Sequence, residues 1–193
     1  MTREEALKLL TKYNQKPFHL RHALTVEAVM RYLAHANDED EDFWGLVGLL
    51  HDVDYGQFPD EHCVKAPELL AEIHAPEAMV RAICSHGYDH RVNIKPEHFM
   101  EKVLYAVDEL TGLIWAASQL RPSKSVSDMT LKSVKRKYKD KKFAAGCSRA
   151  IIERGADMLG WSLDELMAKT LEAMQVSEQT IEDNYHLLVP ENT

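Results

Sequence analysis

Apolar residues recur at helical spacing along most of the chain, and this pattern is the strongest constraint on its fold. From about His19 to His35, five residues form a stripe at i, i+3, i+4 and i+7 positions: Ala23, Val26, Val29, Met30 and Leu33. A longer stretch, from about Glu97 to Leu120, repeats the pattern. Ala, Leu, Met, Glu and Lys outnumber Val, Ile and Thr, which favours helix over strand. The pattern therefore predicts nine or ten helices without a strand, arranged as an all-α bundle or an orthogonal array of helices.

Several helix bounds are predicted as well. Thr2 with Glu5 and Ser162 with Glu165 have the spacing of capping boxes, and the polar turn at 37–40 is expected to cap the helix that ends at His51. His62 is expected to open a helical stretch, and further helices are expected near 143–154, 162–174 and 177–188.

One apolar stretch of this kind ends in an imidazole and a carboxylate side by side, His51 and Asp52. Neighbouring positions on a helix are about 100° apart, so both side chains can reach one point near the helix end. Imidazole nitrogen together with carboxylate oxygen suits a divalent ion such as Fe, Mn, Co, Ni or Zn. Two ligands do not complete a site, so further ligands are expected elsewhere in the chain.

Further histidines and one aspartate supply candidates for those ligands. The chain has ten histidines, and four besides His51 lie at predicted helix ends or stripe edges: His19, His22, His62 and His86. Asp108 follows Val107 inside the apolar pattern of the long helix. A carboxylate at such a position needs a partner, because burying it unpaired is costly.

Charge and composition limit the possible functions less strictly than the histidines and aspartates do. Residues 121–149 carry ten lysines and arginines against two aspartates, a net charge of +8, whereas the whole chain carries −8. A basic segment on an acidic protein favours a small anionic ligand over nucleic acid, and a solvated lysine-rich helix face is the alternative interpretation. The N-terminus lacks the apolar region of a secretion signal, and three cysteines without C-x-x-C spacing do not predict a disulfide framework. No apolar stretch predicts a membrane span, and we expect a cytoplasmic protein.

Taken together, these residues resemble the HD-domain metal-dependent phosphohydrolases. The resemblance covers about residues 17 to 120 and predicts an HD-type helical domain at 1–120, with 121–193 as a helical extension packed on it. The segments that carry it are His19-Leu20-Arg21-His22-Ala23, Gly48-Leu49-Leu50-His51-Asp52 and Val107-Asp108-Glu109-Leu110. The surroundings of His62 and His86 are similar to the extra histidines of the subgroup that binds two metals.

The resemblance implies a ligand set. The first divalent ion would be held by four residues: His22, His51, Asp52 and Asp108. Asp52 would bridge to a second ion completed by His62 and His86, although His90 is close enough in sequence to replace His86. Two such ions would acidify a water and hold phosphate oxygens for in-line attack.

The sequence departs from the family's pattern directly after the dyad. It reads Val53-Asp54-Tyr55-Gly56, where many relatives have Ile-Gly and some a nearby lysine. Besides Asp52, Asp54 is therefore a candidate catalytic residue: it could orient a ligand histidine or accept a proton from the attacking water, or it could simply face solvent. Another cation would have to contact the phosphate, with six candidates: Arg21, Lys65, Arg81, Arg91, Arg121 or Lys124.

The resemblance implies hydrolysis of a phosphoester in a nucleotide or another small phosphorylated metabolite. Two alternatives stay open at this point. Some two-iron relatives are oxygenases, and the same ligand order fits them. A non-catalytic regulatory module that binds metal or nucleotide is the other. The residues do not predict the substrate, the identity or number of the ions, or the oligomeric state.

Overall fold

Nine α-helices make up the fold of residues 1–189, the part of the chain that the computed structural model describes. They are α1 (Arg3–Tyr13), α2 (Pro17–His35), α3 (Glu41–Leu50), α4 (Ala66–Ala71), α5 (Glu77–Ser85), α6 (Phe99–Ser118), α7 (Leu131–Lys139), α8 (Arg149–Leu159) and α9 (Leu163–Leu188). A 3₁₀ turn at Pro59–Glu61 precedes α4. Within these residues the only β-type pairing is an isolated bridge between Tyr88 and Val92. The predicted all-α class is confirmed.

Side-chain caps begin several helices where the sequence predicts them. Thr2 and Glu5 form a reciprocal capping box at the start of α1. Asp40 accepts a hydrogen bond from the backbone N–H of Phe43 and begins α3, the helix that ends at the dyad. Ser162 caps α9 in the same way. Of these three helices, α3 is the one that leads to candidate ligands, and its cap fixes where it begins.

The helices enclose one hydrophobic core. Helix α2 packs along α3, α6 and α9, and α6 also packs against α8. The approach of α8 to α6 is close, because a Cβ at Gly155 would lie 2.5 Å from the Cα of Ala106. This packing places the ends of α3 and α5 beside the middles of α2 and α6. Within residues 1–189, no helix combines the length and apolarity that crossing a membrane requires.

Three local predictions are wrong. The end of the chain forms one helix, α9, instead of two, because no glycine or proline interrupts it and Gln175 anchors its middle to backbone carbonyls of residues 126 to 129. His62 does not open a helix: it has an extended backbone, and α4 begins at Ala66. The helix expected from Phe143 begins only at Arg149, after Ser148 as its N-cap.

Candidate metal centre

Five chain segments bring the candidate ligands together. His22 lies in the middle of α2, and His51 and Asp52 follow the last residue of α3. His62 lies in the connection to α4, His86 caps the C-terminus of α5, and Asp108 lies in the middle of α6. The structure thus unites residues that are as much as 86 positions apart in the chain.

One group of side chains joins α2, the end of α3, and α6. The Nε2 atoms of His22 and His51 are 3.2 Å apart. Oδ1 of Asp108 lies 2.9 Å from Nε2 of His22 and 3.4 Å from Nε2 of His51. Oδ2 of Asp52 lies 3.4 Å from Nε2 of His51 and 3.8 Å from Nε2 of His22. Two imidazoles and two carboxylates therefore face one point, which we call the first site.

A second group lies on the other side of Asp52. The Nε2 atoms of His62 and His86 are 3.1 Å apart. Oδ1 of Asp52 lies 3.4 Å from the former and 3.6 Å from the latter. We call this group the second site. Each oxygen of Asp52 thus faces one histidine pair, the arrangement that a carboxylate bridging two ions requires.

Hydrogen bonds to the opposite ring nitrogens orient three of these histidines. Nδ1 of His51 donates to the carbonyl of Gly48 at 2.7 Å, and Nδ1 of His86 donates to the carbonyl of Ile83. Nδ1 of His62 is paired with Oδ1 of Asp54 at 2.8 Å. A neutral imidazole that donates through Nδ1 presents a lone pair at Nε2. The Nε2 lone pairs of neutral rings therefore converge, and a cation placed between them would relieve their repulsion.

The separations fit ligands of a common ion. Two nitrogen ligands about 2.1 Å from one ion lie about 3.0 Å apart at a right angle and about 3.4 Å apart at the tetrahedral angle. The two Nε2–Nε2 distances, 3.2 and 3.1 Å, fall within this range. Most of the nitrogen–oxygen distances lie close to it as well. The donor set thus fits divalent metal, and both sites are compatible with Fe, Mn, Co, Ni or Zn.

Protons compensate the charges of the site when no metal is bound. Burial lowers the pKa of His51, but the negative charges of Asp52 and Asp108 outweigh it and raise the pKa to about 10. Burial also opposes a charge on His62, yet the bond to Asp54 raises its pKa to about 9. Because a metal ligand must be deprotonated, metal binding has to displace these protons.

A cavity of about 530 Å³ opens over both sites. Its walls include five of the six candidate ligands: His22, Asp52, His62, His86 and Asp108. Of the six cations considered for phosphate, Arg91 lines this cavity. Four others form ion pairs elsewhere: Arg21 with Glu182, Lys65 with Glu68, Arg81 with Glu97 and Glu101, and Arg121 with Asp128. Arg91 is therefore the cation best placed to meet an anion there.

The basic segment reaches the cavity through its last residues. Gly146, Cys147 and Ser148 line the wall at the start of α8. The guanidinium of Arg149 donates to the carbonyls of Phe143 at 2.6 Å, Ala144 at 2.6 Å and Cys147 at 2.8 Å and so holds this loop in place. None of the lysines of residues 121–149 lines this cavity.

The structure distinguishes between His86 and His90 as the candidate ligand, and between the roles considered for Asp54. His86 belongs to the second site, whereas His90 is exposed and lies at the cavity wall. Asp54 is fully buried, so the expectation that its carboxylate faces solvent is wrong. Its contact with Nδ1 of His62 fits the orienting role. Its role as a proton acceptor for the attacking water stays a prediction.

Sequence reasoning missed two side chains at the site. Cys63 has its Sγ 3.4 Å from Nε2 of His62, although the sequence offered only its position beside that histidine. Glu109 lines the cavity next to Asp108. Burial, and then the charge of Asp108, raise the pKa of Glu109 to about 7. No sequence signal separates Glu109 from a solvated glutamate, because its environment is created by α8.

Comparison with known proteins agrees with this arrangement. A family model described as HD domain matches residues 20–139, which is more than half of the chain and includes His22, the dyad and Asp108. Neither the curated proteins nor the solved structures contain a match.

Proposed function

The chain belongs to the HD-domain family, whose members are generally metal-dependent hydrolases, and on this premise we propose that it hydrolyses a phosphoester of a nucleotide or another small phosphorylated metabolite. The observation that carries the proposal is the position of Asp52 at the base of the cavity. Each of its carboxylate oxygens faces a different histidine pair. Two adjoining cation sites beneath an open cavity suit the phosphoryl group of a small substrate.

The residues that would hold the metal are those of the two sites. Bound there, divalent metal would lower the pKa of water and offset negative charge on a phosphoryl group. The remaining chemistry belongs to the chain itself. Gly48, Asp54 and Ile83 hold three imidazoles in the orientation that ligation requires.

Two cavity residues have suitable chemistry for the substrate. Arg91 can donate to phosphate oxygens, since a guanidinium forms paired, charge-assisted hydrogen bonds with phosphate. Glu109, with its pKa near 7, can hold a proton or release one at neutral pH. A general acid or base works best when its pKa lies near the working pH. Glu109 is therefore our candidate for proton transfer with the leaving group or with water.

The size and rim of the cavity support a small organic phosphate. A volume of about 530 Å³ lies within the range of small-molecule pockets, roughly 300–1,000 Å³. Phe18 and Tyr55 stand at the wall with exposed fractions of 53% and 37%. Exposed aromatic rings of this kind can stack on a nucleobase, which is why we favour a nucleotide.

The experiment is a substrate screen with defined metal content. Metal-free protein is reloaded separately with Mn, Fe, Co, Ni or Zn, and phosphate release from nucleotides and other phosphomonoesters is measured. Asp52→Asn should lower kcat/KM about a thousandfold or more, because it removes a ligand shared by both sites and metal ions supply several kcal/mol of transition-state stabilisation. Asp60→Asn, at an exposed position in the following 3₁₀ turn, is the matched control and should leave the rate unchanged.

Three outcomes would contradict the proposal. Phosphate release that Asp52→Asn does not change would place the reaction elsewhere. Oxygen consumption by the iron-loaded protein, without phosphate release in any metal form, would favour the oxygenase alternative. If neither activity occurs although metal binds, the non-catalytic module becomes the better explanation.

A further inference from the structure

The second site contains a donor that neither the family match nor the sequence resemblance assigns. Sγ of Cys63 lies 3.4 Å from Nε2 of His62 and 3.7 Å from Nε2 of His86. All three side chains are buried: the exposed fraction is 2% for Cys63, 6% for His62 and 3% for His86. Oδ1 of Asp52 faces the same two imidazoles. Two nitrogens and one sulfur thus lie close enough together to hold one ion, and an oxygen of Asp52 faces the two nitrogens.

The distances match a tetrahedral ligand set that includes sulfur. For a metal–sulfur distance of about 2.3 Å and a metal–nitrogen distance of about 2.1 Å, the tetrahedral angle gives a sulfur–nitrogen separation of about 3.6 Å. The observed separations for Cys63 are 3.4 and 3.7 Å. Oxygen and nitrogen ligands of the same ion would lie about 3.4 Å apart. Asp52 lies 3.4 Å from His62 and 3.6 Å from His86.

Hydrogen bonding by a neutral thiol explains this group of donor atoms less well than a bound metal ion does. One S–H can donate to one acceptor, whereas Sγ of Cys63 lies 3.4 Å from Nε2 of His62 and 3.7 and 3.9 Å from Nε2 and Nδ1 of His86. The two Nδ1 atoms are already engaged by Asp54 and by the carbonyl of Ile83. A single cation would contact all of the converging donors together.

The backbone around Cys63 is built to bring its sulfur inward. Cys63 has a φ of 64°, in the left-handed region that few residues other than glycine adopt. Opposite it, a Cβ at Gly87 would lie 2.6 Å from Sγ of Cys63, so glycine at that position leaves the room that the thiol occupies. A strained conformation of this kind persists only where the surrounding structure imposes it.

We propose that Cys63 is a metal ligand through its thiolate, and that the second site is a two-histidine, one-cysteine site next to Asp52. The two sites then differ in chemical class. The first site offers only nitrogen and oxygen, whereas the second offers sulfur and prefers a thiophilic ion such as zinc, iron(II) or cobalt(II) to manganese or magnesium. The inference rests on the metal binding that the proposed function requires.

Cobalt(II) tests the proposal, because a thiolate ligand gives it a sulfur-to-metal charge-transfer absorption in the near ultraviolet. Metal-free full-length protein is titrated with cobalt(II) under anaerobic, reducing conditions. We expect the band in the unaltered protein and in Cys147→Ser, which removes the thiol that lines the cavity wall. Cys63→Ser should abolish the band and weaken cobalt binding at one site while the other site still binds.

X-ray absorption on the unaltered cobalt protein provides a measurement that needs no variant. It should show one sulfur scatterer at about 2.3 Å for every two cobalt ions. Cobalt bound without a sulfur scatterer would overturn the proposal, and so would a band that persists in Cys63→Ser. Failure of cobalt to bind at all would overturn it as well.

Phosphate release measured on the same samples separates the two proposals. Hydrolysis by a cobalt protein without the sulfur signature would leave the proposed function standing and refute the cysteine ligand. The sulfur signature without hydrolysis of any phosphoester would support the cysteine ligand and refute the proposed function.

Discussion

Removing the carboxylate of Asp54 should weaken metal binding at the second site alone. Asp54 is fully buried, and its Oδ1 holds Nδ1 of His62 at 2.8 Å. Asp54→Leu keeps the branched shape of the side chain with a larger volume, and it leaves this ring nitrogen without its acceptor. Among residues 1–189, no other group is paired with the Asp54 carboxylate: its Oδ2 has no hydrogen-bond partner. The substitution therefore perturbs one contact, the one that orients a ligand.

The size of the effect follows from that contact. A hydrogen bond to a charged group contributes about 1.5–3 kcal/mol, which is about 10- to 100-fold in an equilibrium constant. Loss of such partners behind metal-bound histidines costs about the same factor in metal affinity. We therefore expect Asp54→Leu to weaken the second site 10- to 100-fold. Asp54→Asn, which keeps an acceptor oxygen without the charge, should lie between Asp54→Leu and the unaltered protein.

Calorimetric titration of metal-free protein with zinc measures both affinities in one experiment. The first site, built from His22, His51 and Asp108, provides the internal control, because Asp54 does not contact it. Circular dichroism and thermal unfolding of each variant verify that the fold is retained. The reasoning is refuted if Asp54→Leu binds zinc like the unaltered protein, or if both affinities fall by the same factor.

Three further predictions concern pH, catalysis and packing. In metal-free protein the raised pKa of His51 stabilises the fold fully below pH about 6.5, and this contribution is lost as the pH rises toward about 10. Tm should therefore fall over that pH range, and it should fall less with zinc bound because the metal replaces the protons. An equal fall of Tm with pH in the metal-free and the zinc-bound protein would contradict this. Glu109→Gln should lower kcat about 10²- to 10⁴-fold while zinc affinity stays the same. The rate of this variant should no longer change with pH near 7. An unchanged kcat would exclude proton transfer by Glu109. Gly155→Ala should destabilise the protein by about 1–3 kcal/mol, a loss of roughly 2–12 °C in Tm, because its Cβ would overlap the backbone of Ala106. Gly146→Ala, with open space around its Cβ, should leave Tm unchanged. Equal Tm values for both variants would show that α8 can shift freely.

The fold class and the first site could be predicted because their signals are local or chemical. Helical periodicity and capping residues act over a few positions, so an all-α chain and the ends of α1 and α3 follow from them. The dyad at the end of an apolar helix, together with Asp108 inside another, indicates ligands before any contact is known. The division of the chain at residue 120 stays a prediction, and the family match continues to residue 139.

Other features could not be predicted because packing across distant segments creates them. Asp54 is buried because the chain folds back over it, and its partner is a histidine eight positions away. Cys63 gains its chemistry from His86, which α5 brings beside it. The single helix α9 depends on contacts of Gln175 with carbonyls about 50 residues earlier.

The sequence by itself determined which residue types could ligate a metal and on which helices they stand, because periodicity and side-chain chemistry are properties of short segments. The family resemblance implied two sites that share Asp52, but only the tertiary structure decided that each oxygen of Asp52 faces one histidine pair and that the sulfur of Cys63 lies beside the second pair. The physical reason is that distance and burial depend on how α2, α3, α5 and α6 pack, which no local pattern encodes.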